Sequence, residues 1–183
     1  MQTDYLKLID EYTDEMIAVL QELVRIRSVE AEPVETLEKG LLPFGAGVQE
    51  AFEYMLARGE ADGFETENVD NYGGHIEFGG YELDEDGEPE GDLSGWKFDP
   101  YEGVIEDGKI YGRGTDDDKG ATLAAYFAMK ALKDSGFVPA KKVRLILGLD
   151  EETNWDGMRY YLSKVKAPDF GFTPDADFPA ING

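Results

Sequence analysis

Three consecutive carboxylates, Asp116, Asp117 and Asp118, sit inside the stretch GRGTDDDKG at residues 112–120. Adjacent like charges repel and raise one another's pKa, so a fold crowds them only where something positive settles the conflict. A single aspartate at a helix start is accounted for as a cap that accepts free backbone N–H groups; three are not. The chain holds two further groups of this kind, Asp150-Glu151-Glu152 and Asp175 with Asp177. Each has a plain alternative taken alone: an exposed helix entrance for the glutamates, an Asx turn after Pro174 for Asp175. Together they offer hard oxygen donors, which suit a divalent cation, and Zn²⁺, Mn²⁺ and Co²⁺ all accept carboxylates.

What gives these groups a common address is the order of elements around them. Met16, Leu20, Leu23 and Val24 fall on one face of a predicted helix over residues 14–27, with Thr13 as its N-cap. A second helix is expected over residues 46–57, with Val48, Phe52 and Met55 inward and its end before Gly59. Strands follow at residues 64–69 and 74–78. A hairpin at residues 103–112 turns on Asp107-Gly108. A helix over residues 119–135 presents Leu123, Phe127 and Ala131 beside Ala124, Ala128 and Leu132, and Gly136 ends it. VRLILGL, residues 143–149, is the unbroken apolar run of a strand buried on both faces. A short helix at residues 155–164 and a strand at residues 169–173 complete the series. This order predicts an α/β sandwich with a largely parallel sheet. Each acidic group then follows a strand, and in open α/β sheets ligands bind beyond the carboxyl ends of the strands.

Residues 81–95, YELDEDGEPEGDLSG, break the pattern with seven acidic residues in fifteen. They are expected to form a solvated loop that cannot make a buried strand. Asp84, Asp86 and Glu88 alternate as calcium-loop ligands do, but Pro89 and Gly95 stand where that loop needs glycine and glutamate. The match fails.

Composition bounds the rest. A chain of 183 residues with 42% apolar residues can bury a proper core. Its 17 basic and 40 acidic residues give a net charge of −23, which repels nucleic acid and anionic membranes. The same balance serves solubility. There is no cysteine, hence no disulfide or thiolate chemistry. No apolar run reaches the length of a membrane span and no signal peptide is legible, so a soluble cytoplasmic protein is expected.

The runs IYGRGTDDDKGATLAAYFAMKALKDSG, LDEETNWDGMRYYL and FTPDADFPAING resemble the dipeptidase branch of the M20 metallopeptidases, and NVDNYGGHIEFG and GWKFDPYEG also fit. The resemblance implies a zinc-peptidase-like catalytic domain, a three-layer α/β/α sandwich with a mixed sheet, acting on small peptides. It implies a site of two metals, zinc with manganese or cobalt as substitutes, in which Asp117 bridges, Glu152 and Asp175 are further ligands, and Glu151 is the general base. A cis peptide bond between Asp117 and Asp118 belongs to the same pattern.

Two departures accompany the resemblance. The family's His-x-Asp motif, which supplies a metal-binding imidazole, aligns with residues 81–95, which have no histidine. The lone His75 lies upstream, and it is expected to be a surface residue on an edge strand rather than a ligand. Family members also continue beyond the segment matching PAING into a lid domain and a second metal-binding histidine, so residues 1–183 are expected to be one domain, the N-terminal part of an incomplete catalytic domain. Impaired or absent activity is therefore expected. Loss of a central strand would leave apolar neighbours to be covered by re-pairing or by a homodimer. The alternative is a non-catalytic truncated or redesigned α/β domain that at most binds divalent cations.

Overall fold

The structure, a computed structural model, describes residues 4–79, 82–83 and 95–173. Helix α1 (Tyr5–Glu11) starts on Asp4, whose carboxylate accepts the N–H of Leu6 at 3.1 Å. Helix α2 (Thr13–Arg25) follows with only Tyr12 between, so Thr13 is not its N-cap. Because α1 runs up to Tyr12, the Thr13 hydroxyl turns back to the carbonyl of Ile9 instead. A hairpin of β1 (Val34–Thr36) and β2 (Gly40–Leu42) precedes α3 (Ala46–Ala61). That helix passes through Gly59 rather than ending before it. A Cβ at Gly59 would stand 3.0 Å from methyl carbons of Ile76 and Thr66, so the glycine is what lets α3 lie on the sheet.

The sheet is built from β3 (Glu65–Asn68), β4 (Gly74–Phe78), β5 (Glu82–Leu83), β8 (Val143–Leu147) and β9 (Gly171–Phe172). Between β5 and β8 come the hairpin β6 (Val104–Glu106) and β7 (Lys109–Tyr111), then α4 (Lys119–Asp134); α5 (Asp156–Lys164) follows β8. The spatial order is β3-β4-β8-β5-β9. The pairs β3/β4 and β4/β8 are antiparallel, whereas β5 runs parallel to both β8 and β9. The sheet is thus mixed, with its parallel part confined to one side.

Two expectations need correction. Residues 81–95 were expected to make no buried strand, yet Glu82 and Leu83 pair with Arg144 and Leu145 on one side and with Gly171 and Phe172 on the other. Strand pairing uses backbone N–H and C=O groups, so even an acidic sequence can supply it. The expected gap beside β8 is therefore occupied at Arg144 and Leu145. Residues 80–81 and 84–94 lie outside the described residues. His75 is likewise neither on an edge strand nor at the surface: β4 is flanked by β3 and β8, and His75 is 4% exposed. Its Nδ1 meets the Tyr161 hydroxyl at 2.8 Å, and its Nε2 faces Glu67 and Glu77.

Alternation along β4 and β8 divides the core. Ile76, Leu145 and Leu147 face Leu23, Phe52, Leu123 and Phe127 from α2, α3 and α4. On the other face Ile146 joins Val69, Met158 and Tyr161, the last two from α5. Helices therefore cover both faces of an α/β fold. In α4 the buried set is Leu123, Phe127 and Ala131 with Thr122, Tyr126 and Met129, while Ala124 and Ala128 are exposed. Tyr126 and Met129 turn inward in place of Ala124 and Ala128, because burying a Tyr or Met removes far more apolar area from water. The turn Asp107-Gly108 has φ of 50° and 73°, the pattern of a type I′ hairpin.

Candidate active site

The aspartate loop leaves β7 against the C-terminal turn of α2. A Cβ at Gly112 would come within 2.5 Å of a Val24 methyl, so only glycine lets the loop approach this closely. Within the loop, the Thr115 hydroxyl donates to the Gly112 carbonyl at 2.9 Å, and the Gly120 N–H donates to the Gly114 carbonyl at 3.3 Å. The Asp117–Asp118 peptide bond is cis. Asp116 and Asp117 are exposed and Asp118 is 6% exposed. Asp118 occupies the N-cap position of α4, yet its side chain makes no capping bond, so capping does not account for it.

The second acidic group divides by role. Asp150, just past β8, is 1% exposed, and its carboxylate accepts the N–H of Asp156 at 2.6 Å and of Gly157 at 3.0 Å. Its carbonyl accepts the N–H groups of Thr153 and Trp155. Burial pushes the Asp150 carboxyl above its usual range, against the opposing pull of the two N–H donors. This residue therefore shapes the turn and anchors the start of α5. Of the three neighbouring acidic residues it is the structural one, each of its carboxylate oxygens accepting a backbone N–H. Glu151 is left half-buried and Glu152 exposed on the turn it builds.

The two loops meet. A cavity of about 60 Å³ is lined by Asp118 and Lys119 from the start of α4, by Gly148 and Leu149 beyond β8, and by Leu23 and Ser28 at the end of α2. Beside Asp150 a wider acidic crevice of about 530 Å³ opens, lined by Glu30, Glu32, Phe44, Tyr72, Asn154 and Asp156 among others. Asp118 and Leu149 at the smaller cavity are close in sequence to Asp117 and to Glu151-Glu152, but those three carboxylates do not themselves line it, and Val48, Ala51, Phe52 and Met55 give it an apolar wall. Asp175 and Asp177 lie outside the described residues. His75 packs on the α5 face of the sheet against Tyr161.

A divalent cation is the group this donor chemistry fits: exposed hard carboxylate oxygens on two neighbouring loops. Among the described residues no three His, Asp or Glu side chains gather as a metal-holding cluster. The described loops bear two of the three expected ligands, Asp117 and Glu152, together with the expected base. What the sequence pattern did not single out was Asp150 as an anchor, because its burial and its bonds to Asp156 and Gly157 come from the tertiary structure. Nor did it single out Lys119, hidden within the acidic motif.

Residues 82–183 match the model of peptidase family M20/M25/M40. Over 190 aligned positions the chain is 42% identical to the Beta-Ala-Xaa dipeptidase of Lactobacillus delbrueckii subsp. lactis, an alignment covering 100% of this chain and 39% of that protein. Among solved structures, human carnosine dipeptidase 1 superposes with a TM-score of 0.71 at 22% identity, over 87% of this chain and 37% of that one. The dipeptidase Dug1p of Saccharomyces cerevisiae gives 0.69 at 18% identity, with the same coverage. These two likenesses show the fold. The chain spans about two fifths of the length of the relatives it matches.

Proposed function

Because the chain belongs to peptidase family M20/M25/M40, we propose that it forms part of the catalytic domain of a metal-dependent dipeptidase that hydrolyses small peptides. Support for dipeptides as the substrate class comes from the 42% identical relative, which carries that activity in its name. The observation that carries the assignment is the cavity at the C-terminal end of β8 where Asp118, next to Asp117, meets Gly148 and Leu149, which lead into the Glu151-Glu152 turn. Helices on both faces of the mixed sheet support a three-layer α/β/α sandwich.

In this proposal Asp117, Glu152 and Asp175 would hold the cation, zinc or a manganese or cobalt substitute. A divalent ion there supplies Lewis acidity toward a peptide carbonyl and makes water a stronger acid. Glu151 takes a proton from the attacking water at a carboxylate oxygen. As the water oxygen bonds to the carbonyl carbon and the C–N bond breaks, the same carboxyl returns that proton to the leaving nitrogen. Asp150 keeps the turn carrying Glu151 in place through its two backbone bonds.

The test is dipeptide hydrolysis with added Zn²⁺, Mn²⁺ or Co²⁺. Glu151→Gln keeps size and loses the base, so kcat is expected to fall by about 10²–10⁴-fold. Turnover equal to wild type would remove Glu151 from the mechanism. The alternative left open by the sequence is a domain that at most binds a divalent cation without turning over peptides. Cation binding with no hydrolysis by the wild-type chain decides for it.

A further inference from the structure

The structure assigns Lys119 a positioning role: its ammonium fixes the aspartate loop on the end of α2 and so sets where the Asp117 carboxylate stands. This rests on the cation site proposed above and concerns a residue not in its ligand set.

Lys119 is the first residue of α4. A cation there is on the unfavourable end of its own helix, where the macrodipole is positive. Its side chain resolves this by leaving α4 altogether. Nζ donates to the carbonyls of Leu23 at 3.0 Å and of Ile26 at 3.1 Å, at the C-terminal end of α2. Each of these carbonyls also accepts a backbone N–H, Leu23 from Ile26 and Ile26 from Ser28, and offers the ammonium its second lone pair; the dipole there is negative, so the ammonium is well placed. One side chain thus links the start of α4 to the end of α2 across 93 and 96 residues of sequence.

The loop is wrapped around this linkage. A Cβ at Gly114 would lie 3.0 Å from Cδ and 3.2 Å from Cγ of Lys119, so the backbone of Gly114, at φ +77°, rests on the lysine stem. A Cβ at Gly120 would lie 2.2 Å from the Thr115 carbonyl oxygen, so the loop also closes directly on the residue after the lysine. Gly112 sits against Val24, one residue from Leu23. The loop is also tied to Pro100, whose carbonyl accepts the Arg113 N–H at 2.7 Å, but its second half, from Gly114 to Gly120, rests on Lys119. Asp117 is two residues from that pin, between Gly114 on the lysine stem and the start of α4. Residues that hold a ligand without touching the metal typically change metal affinity about 10–100-fold when removed.

The experiment is a calorimetric titration with Mn²⁺ of the wild-type chain and of Lys119→Met, Lys119→Arg and Gly114→Ala, well below each melting temperature. Lys119→Met keeps the stem and loses both hydrogen bonds; a dissociation constant raised about 10-fold or more is expected. Lys119→Arg retains a cationic donor and is expected to recover part of the loss, which a packing role alone would not produce. Should Lys119→Met fail to fold, Gly114→Ala takes its place: it keeps the ammonium but pushes the stem aside, and weakened binding is again expected. Wild-type binding with an unchanged constant in the folded variants overturns the role of Lys119 and leaves the cation site standing. No saturable binding by the wild-type chain overturns both.

Discussion

Asp150 shows how much one buried carboxylate does at the residue scale. It accepts the N–H groups of Asp156 and Gly157, and removing it leaves both without an acceptor beside a packed helix start. Asp150→Ala is expected to lower stability by about 2 kcal/mol, measured by urea denaturation, with Asp150→Asn between it and wild type. Equal stability of all three proteins would show that the turn at residues 150–157 is held by its backbone bonds alone. The sequence displayed Asp150, Glu151 and Glu152 as one acidic group, and charge alone could not separate an anchor from a base. What separates them is burial, which depends on where β8 ends. Gly157 carries the same lesson: a Cβ there would lie 2.4 Å from the Tyr72 carbonyl and 2.8 Å from the Asp150 carboxylate. Gly157→Ala is expected to cost at least as much as Asp150→Ala by the same measurement.

At the scale of elements, segments with an apolar pattern or a turn signal were legible, among them the hairpin on Asp107-Gly108, and those without one were not. The helix over residues 119–135 followed from its apolar spacing, and the strand within VRLILGL from its unbroken apolar run. Strand β5 was not legible. It has two residues, and its pairing with β8 and β9 comes from backbone groups that leave no trace in side-chain type. His75 failed for a related reason: its place between Tyr161 and Glu77 depends on β4 being flanked by β8, a pairing set by tertiary structure. Burial, with Arg144 nearby, holds the His75 imidazole down to about 4, while Glu77 opposes that shift. The native state thus keeps His75 neutral where an unfolded chain protonates it near its ordinary value. This contribution is present above about pH 6.5 and is lost as pH falls toward 4, amounting to about 3 kcal/mol. Denaturation measured at pH 7, 5.5 and 4.5 should show that decline, and His75→Gln should flatten it. A slope unchanged in His75→Gln would assign the acid sensitivity to carboxylates instead.

At the scale of the whole molecule, charge is the dominant fact. With −23 net charges, self-repulsion opposes the compact state. Raising NaCl from about 0.01 to 1 M shortens the screening length from roughly 30 Å to 3 Å. The melting temperature is expected to rise by a few degrees, about 1 kcal/mol for a chain of this size; a fall would show that ion pairs such as Arg144 with Glu77 outweigh the repulsion. Among the described residues no helix is long and apolar enough to cross a membrane. The acidic loops at the end of β8 draw on the same excess of negative charge, and a bound cation would relieve it locally. The most direct test of the account is therefore a Mn²⁺ titration of the wild-type chain beside Asp117→Asn. Saturable binding that weakens at least about 10-fold in Asp117→Asn is predicted; no binding, or the same constant in both proteins, would contradict a cation site at the aspartate loop.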